Sequence, residues 1–152
     1  MHNADPQLDE AGRLAERVEQ EIRDAGGSLT PAYQELEVEV RRYADSGAAL
    51  DDIVPGADEL ALGFNRDRPN GTLIWTAYAK VIREDVCRPE GDLHRQLSQG
   101  AAATGASVVT LLLGVVGLPL VAAPVIAPMA GSLLALGVKA FCAMVAESEV
   151  RP

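Results

Sequence analysis

The stretch that decides the fold is GASVVTLLLGVVGLPLVAAPVIAPMAGSLLALGVKAFCAMV, residues 105–145, in which Lys139 is the single charged side chain. It lies within 43 consecutive residues, 96–138, that carry no formal charge. One membrane crossing needs about 20 apolar residues, so this run is long enough for two crossings and a tight reversal. Neither half leaves a polar face for water, and we therefore expect lipid or other protein to enclose it.

The segment GLPLVAAPVIAP predicts where the apolar run reverses. Its three prolines are Pro119, Pro124 and Pro128. Each proline removes a backbone donor and disfavours helix in the residue before it, so we expect all three to belong to the hairpin turn. The run is therefore expected to form one helix over 101–118 and a second over 128–146.

Large apolar side chains on these two helices are the residues expected to meet lipid or a partner. They are Val108, Leu111, Leu112, Val115, Leu118, Leu133 and Leu136. Small residues dilute them, and apolar residues return only about 0.3–0.6 kcal/mol each on insertion scales, so insertion should be favourable but marginal. Small residues spaced four apart also let helix backbones approach closely. We expect Gly105, Gly114 and Gly131 to act in this way, and the chain to form homo-oligomers.

Residues 1–99 predict an acidic helical head that is separate from the apolar hairpin at 100–146. Helices are expected over about 6–25, 31–46 and 72–87, with short helical turns at 48–64. A short polar tail is expected at 147–152. The predicted fold class is therefore all-α, with an acidic N-terminal helical bundle and a C-terminal hydrophobic helical hairpin.

Narrow apolar stripes predict how the head helices pair. The stripe of the first helix consists of Leu8, Ala11, Ala15, Val18, Ile22 and Ala25. The stripe of the second consists of Tyr33, Leu36, Val40 and Tyr43. We expect the two helices to pair antiparallel, with the tyrosines covering the alanine-rich seam of the first helix. The third helix, around Trp75, is expected to supply most of the bulk of the small core.

Charge limits the possible partners. The net charge of −9 argues against nucleic acid, because phosphate contacts need clustered Lys and Arg. The acidic run Glu35, Glu37 and Glu39 is interpreted as a solvated face, with docking of a basic partner as the alternative. The amino terminus has no basic start followed by an apolar run, so we expect cytoplasmic synthesis and then membrane association. Cys87 and Cys142 are expected to remain unpaired thiols there.

The candidates for chemistry lie around Cys87 and His94. A nucleophile pair of these two residues, or a metal site that adds Glu84 and Asp85, matches no known catalytic or ligand spacing. His94 is expected to be an exposed residue of the helix after Pro89. The sequence contains no phosphate-binding glycine loop, dinucleotide fingerprint or paired-carboxylate site. It therefore predicts no enzyme, no metal, no cofactor and no small-molecule substrate.

An apolar hairpin shielded by amphipathic helices is similar in architecture to colicin-type and Bcl-2-type proteins, although the chain carries no sequence motif of either and has fewer amphipathic elements. The similarity implies a soluble form, a trigger and an inserted form. We expect a small non-enzymatic bacterial effector, membrane-active or membrane-anchored, whose head controls the hairpin in a toxin or defence setting. The alternative is a soluble adaptor or assembly subunit whose hairpin is buried in an oligomer or partner interface. The expected partners are thus membrane lipid or another protein.

Overall fold

The computed structural model describes residues 6–47, 70–99 and 104–150, which form six α-helices. The helices are α1 (Pro6–Asp24), α2 (Thr30–Asp45), α3 (Gly71–Val86), α4 (Asp92–Gln99), α5 (Gly105–Val116) and α6 (Ala123–Val150). A short 3-10 turn, Leu120–Ala122, leads into α6. The described ranges contain no β-strand, and the predicted all-α class is confirmed.

Three helices correspond to those predicted for the head. The predicted 6–25, 31–46 and 72–87 differ from α1, α2 and α3 by a single residue at their ends. The start of α3 is fixed by Asn70, whose side chain accepts a hydrogen bond from the N–H of Leu73 at 3.1 Å. The helical turns predicted at 48–64 lie outside the described residues.

The first half of α6 lies at the centre of the hydrophobic core. Its apolar side chains and those of the preceding turn are almost fully buried: Ala122, Ala123, Val125, Ile126, Ala127, Met129, Ala130 and Leu133. α1 packs on α6 most extensively, and α2, α3 and α5 also contact it. The expectation that lipid or other protein must enclose the apolar run is therefore wrong for this half. The amphipathic helices of the same chain enclose it, and head and tail residues share one core.

Small residues let α1 approach α5 and α6 at backbone distance. A methyl group added to Gly131 of α6 would lie 2.6 Å from the carbonyl oxygen of Ala15. One added to Gly12 of α1 would lie 2.7 Å from the amide nitrogen of Ala106. These backbone atoms leave no room for a side chain. The predicted pairing of the α1 seam with the tyrosines of α2 is wrong, because α5 and α6 bring Gly105 and Gly131 to that seam instead.

The amino end of α5 is held by two sets of hydrogen bonds. The side chain of Thr104 accepts from the N–H of Ser107 at 3.1 Å, and the Ser107 hydroxyl accepts from the N–H of Thr104 at 3.0 Å. Glu16 of α1 accepts from the N–H of Gly105 at 3.0 Å, where a carboxylate is favoured by the helix dipole. α1 therefore positions the start of α5 as well as α6. The start predicted at 101 lies outside the described residues.

The reversal between α5 and α6 is shorter than predicted. Gly117 ends α5 in the left-handed conformation, with φ of 81°. Its N–H and that of Leu118 both donate to the carbonyl of Leu113 at 2.9 Å, which satisfies the end of the helix. The chain then needs only the residues up to Ala122 to enter α6.

Two of the predicted turn prolines lie in helix. Pro119 is in the connection as predicted, whereas Pro124 and Pro128 belong to α6, which begins at Ala123 and not at 128. Pro124 is the second residue of the helix, where no intrahelical donor is needed. Pro128 does remove one helical hydrogen bond. Its burial with Met129 in the core offsets that loss.

α6 is broken at Gly137, which has φ of 80° and ψ of 168°. This region of backbone space is accessible essentially to glycine. Beyond the break, Phe141 is buried against Trp75, with ring centroids 5.8 Å apart. The helix continues to Val150 and so includes most of the segment predicted as a polar tail, 147–152.

Cys87 and Cys142 form a disulfide, with their Cα atoms 5.8 Å apart. The prediction of two unpaired thiols is wrong. The second half of α6 packs on α3 through Phe141 and Trp75. That packing brings Cys142 to Cys87, the residue that follows α3. The sequence separation is 55 residues, and closing a loop of that size stabilises a fold by about 4 kcal/mol on the chain-entropy estimate.

Replacing Gly131 by alanine is predicted to lower the free energy of unfolding by about 1–3 kcal/mol, because the new methyl group pushes α6 away from α1. Gly114→Ala is the matched control, since nothing lies within 4 Å of its added methyl group. Alanine there should stabilise α5 by about 0.5–1 kcal/mol. Urea denaturation measures both variants. Similar stabilities for the two would contradict close packing of α1 on α6.

Candidate functional site

The structure divides the residues predicted to meet lipid or a partner into two groups. The fully buried group consists of Val108, Leu112 and Leu133. The half-buried group consists of Leu111, Val115, Leu118 and Leu136. Only the second group can be reached from outside while the protein keeps this fold.

The outer side of α5 and the connection after it form a charge-free surface. We name it the outer apolar face, and it consists of Leu111, Gly114, Val115, Leu118 and Val121. Leu111 lies three residues before Gly114 and four before Val115, so these three share one side of α5, and Leu118 and Val121 follow in the connection after it. Val121 is 56% exposed. This face is the candidate docking surface of the described residues.

The three glycines predicted to associate helices have different surroundings. Gly105 and Gly131 are buried against α1, so they serve packing within the chain and not contacts between copies. Gly114 is exposed, and no atom lies within 4 Å of the position of a Cβ. Of the three, only Gly114 is open to a second helix.

Charged side chains border the outer apolar face on two sides. Beside Val115, an open pocket of about 590 Å³ is lined chiefly by charged residues: Lys80, Glu84, Asp85 and Arg88. Beside Val121, a cavity of about 150 Å³ is lined by Arg42 and Tyr43 among others. The charges at both edges are mixed, because Glu84 and Asp85 lie beside Lys80 and Arg88, and Glu39 lies beside Arg42.

A cleft of about 600 Å³ between α1 and α2 holds a pair of glutamates. The guanidinium of Arg42 contacts both carboxylate oxygens of Glu39 at 3.2 Å. Arg17 of α1 donates to Glu35 of α2 at 2.5 Å. Pro124 lines the same cleft, so this charged cluster ties α2 to α1 at the start of α6.

Glu39 is 4% exposed, although it carries a carboxyl group. Burial, together with the hydrogen bond to Glu35, raises the pKa of Glu39 to about 7 despite the nearby Arg42. The fold therefore prefers the protonated carboxyl, and the cluster exchanges a proton near neutral pH. The pairing of Glu35 with Glu39 was not predicted from the sequence. The signal was the spacing of Glu35 and Glu39, four residues apart and each next to a residue of the apolar stripe of α2.

The interpretation of the acidic run as a solvated face is wrong. Glu39 is buried, and Glu35 is engaged by Arg17. Glu37 accepts a hydrogen bond from the N–H of Gly71 at 2.9 Å, which holds α2 to the start of α3. Glu35 and Glu37 therefore make contacts that connect helices, whereas Glu39 is buried beside Arg42 of its own helix.

The residues considered for catalysis or metal binding have structural partners. Cys87 is in the disulfide, and Asp85 accepts from the N–H of Leu93 at 2.7 Å, which caps α4. His94 is half-buried and not exposed as predicted, because its Nδ1 donates to the carbonyl of Val86 at 2.8 Å. Within 6–47, 70–99 and 104–150, no group of three or more His, Cys, Asp or Glu side chains could hold a metal ion.

One stretch among the described residues, Leu120–Met144, is long and apolar enough to cross a membrane, and 61% of its most apolar window is buried. A core helix of a soluble protein has the same length and composition, so this is weak evidence for a membrane. Comparisons with family models, with curated proteins and with solved structures found no match.

The stability of the protein is predicted to fall as the pH rises through about 7. The folded pKa of Glu39 is raised from 4.5 to about 7, so its contribution is complete below pH 4.5 and lost above neutrality. The loss is at most about 3 kcal/mol. Glu39→Gln should remove this slope, as measured by urea denaturation between about pH 5 and pH 8.

Glu10→Gln is the control, because it removes an exposed carboxylate from the same cleft and should leave the slope unchanged. A wild-type protein whose stability does not vary over this range, or a Glu39→Gln variant that keeps the slope, would contradict the assignment.

Proposed function

We propose that the protein is a small, non-enzymatic bacterial effector that acts on membranes, and that α5 and α6 are its lipid-seeking segment. In this proposal α1, α2 and α3 hold α6 in a soluble form, and the outer apolar face makes the first contact with a bilayer. The observation that carries it is the outer apolar face itself. It is an uncharged, partly exposed surface that leads directly into α6, which contains the stretch long and apolar enough to cross a membrane.

The position of this face supports the proposal. Leu118 and Val121 lie in the short connection between α5 and α6, so a bilayer that takes up this connection meets the start of α6 next. No charged side chain follows until Lys139. Entry into lipid from this end would therefore bury no charge over the first half of α6.

The α1 seam also supports release of α6. Withdrawal of α6 would expose the small residues Ala11, Gly12 and Ala15, whose apolar area is limited, together with Val18 and Ile22. Exposure of those last two side chains costs about 3–6 kcal/mol in total. The packing of α1 on α6 depends on close fit more than on large apolar side chains. A bilayer that solvates α6 can therefore compensate for the loss of this packing.

A second candidate function is favoured by the environment of Gly114. A small open residue between Leu111, Val115 and Leu118 is suited to close approach of another helix. The same face could then be the contact of a soluble adaptor with a partner protein or a second copy. Homo-oligomers belong to both proposals, within the membrane in the first and in solution in the second.

Val115→Arg is the variant that tests membrane action. Val115 is half-buried, so the arginine can extend into water and the fold should be kept. An arginine costs about 2.5–3.5 kcal/mol at the centre of an inserted helix, and Val115 lies near the carboxyl end of α5, so vesicle binding should fall by up to roughly 60- to 300-fold. Flotation with vesicles of phosphatidylcholine and phosphatidylglycerol in equal parts measures the binding.

Gln34→Arg is the matched control, because it adds the same charge at an exposed position of α2 and should bind vesicles as the wild type does. Circular dichroism checks that both variants fold. The proposal of membrane action fails if the wild-type protein stays in the soluble fraction both with and without a thiol reductant. A discrete oligomer seen by light scattering, and lost in Val115→Arg, would then support the adaptor.

A further inference from the structure

The disulfide joins two parts of the chain that are 55 residues apart in sequence. Cys87 follows the end of α3, and Cys142 lies on α6 beyond the break at Gly137. Both cysteines are half-buried, so a small thiol can reach them. Neither residue is explained by the outer apolar face or by the acidic cleft.

The break at Gly137 makes the two halves of α6 different in their surroundings. The first half is fixed by burial on several sides, and Arg23 of α1 donates to the carbonyl of Leu134 at 3.2 Å just before the break. After the break, Lys139 and Ala140 are exposed. The backbone at Gly137 needs no helical hydrogen-bond pattern, so the second half of α6 can move without unwinding the first.

Among the described side chains of the second half of α6, Val138, Phe141, Cys142 and Met144 pack against the core, and two of their contacts are with α3 and the residue that follows it. One is the packing of Phe141 on Trp75, at 5.8 Å between ring centroids. The other is the bond between Cys87 and Cys142, which is covalent and lies one residue further along the helix. The disulfide is the covalent one of these contacts, and it is the one that a change of redox conditions removes.

We propose that the Cys87–Cys142 disulfide is a redox latch, which holds the second half of α6 on α3 and releases it when the bond is reduced. This inference rests on the proposed function, because the released half would extend the apolar segment that a bilayer can take up. The latch would control when that same apolar segment becomes available to a bilayer. Disulfides persist in oxidising compartments and are reduced in the cytosol, so the latch distinguishes the two environments.

The step requires a dithiol reductant. One thiolate of the reductant attacks a sulfur of the Cys87–Cys142 bond, the bond breaks, and the other cysteine leaves as a thiolate that takes up a proton. The second thiolate of the reductant then attacks the mixed disulfide. The reductant ends as its own disulfide, and the protein gains two electrons and two protons as two thiols.

Trp75 makes the release observable, because it contacts both halves of α6. Its Nε1 donates to Ser132 before the break at 3.1 Å, and its ring meets Phe141 after the break. Ser132 in turn donates to the carbonyl of Pro128 at 2.9 Å, so the first contact is anchored in the core. The chain has one tryptophan, so its fluorescence reports on the surroundings of this one side chain, which also include the ring of Tyr33 at 6.1 Å.

The test compares oxidised wild-type protein, the same protein treated with dithiothreitol, and the Cys87→Ser/Cys142→Ser double variant. Amide hydrogen exchange over residues 138–144 and Trp75 fluorescence measure release, and flotation with phosphatidylcholine–phosphatidylglycerol vesicles measures membrane binding. Reduction should speed exchange over 138–144 at least tenfold while exchange over 123–133 stays slow. The double variant should match the reduced protein and should not respond to dithiothreitol.

The outcomes separate the latch from the proposed function. Release on reduction, with flotation of only the reduced protein and the double variant, supports both. Exchange and fluorescence that are unchanged by reduction overturn the latch, whether or not the protein floats. If the oxidised and reduced proteins float equally, the disulfide does not regulate membrane binding. That result also overturns the latch and leaves membrane action supported. Release without flotation of any form supports the latch on α6 and overturns membrane action.

Discussion

The close approach of α1 to α5 and α6 is the contact on which the rest of the fold depends. Gly12 and Ala15 on one side, and Gly105 and Gly131 on the other, bring helix backbones together where any larger side chain would overlap backbone atoms. This fit places α1 along the first half of α6 and lets Glu16 cap α5. With α1 in that position, α2 and α3 have only the remaining sides of α6 to cover. The first half of α6 thus lies at the centre of the core, enclosed by helices of the same chain.

The charged and polar contacts follow from this arrangement. Because α2 lies across α1 at the start of α6, Glu39 is buried and its carboxyl prefers a proton near neutral pH. Because α3 lies beside the later part of α6, Trp75 can bond to Ser132 and stack against Phe141. The first half of α6 is held by many buried apolar contacts. The second half is held by the packing of Val138, Phe141 and Met144 and by one covalent bond. The break at Gly137 separates the two halves.

The helices of the head could be predicted from the sequence because each has an apolar stripe with helical spacing, and a polar residue or proline marks its start. The partner of each stripe could not be predicted, because a seam of alanine and glycine fits any helix that offers small residues in return. Hydropathy showed that residues 105–145 needed enclosure but not what encloses them, since lipid and protein satisfy the same requirement. The burial of Glu39 and the disulfide depend on how helices distant in sequence meet, and no local pattern determines that. The positions of the prolines were also wrongly predicted, because Pro124 is tolerated in the first turn of α6, and Pro128 lies inside the helix where core packing holds it despite the lost hydrogen bond.

The central claim, that α1 of the same chain encloses α6, is tested most directly by nuclear Overhauser measurements on detergent-free protein. The structure places Val18 against Gly131, with its Cγ1 at 3.0 Å from the position of a Cβ there. Packing of α1 on α6 within one chain predicts strong cross-peaks in a monomer from the methyl groups of Val18 and Ala15 to the Gly131 α-protons. If those cross-peaks are absent, or appear only between different copies in a mixture of labelled and unlabelled protein, α6 is enclosed by something other than its own α1. That result would contradict the packing of α1 on α6 within one chain.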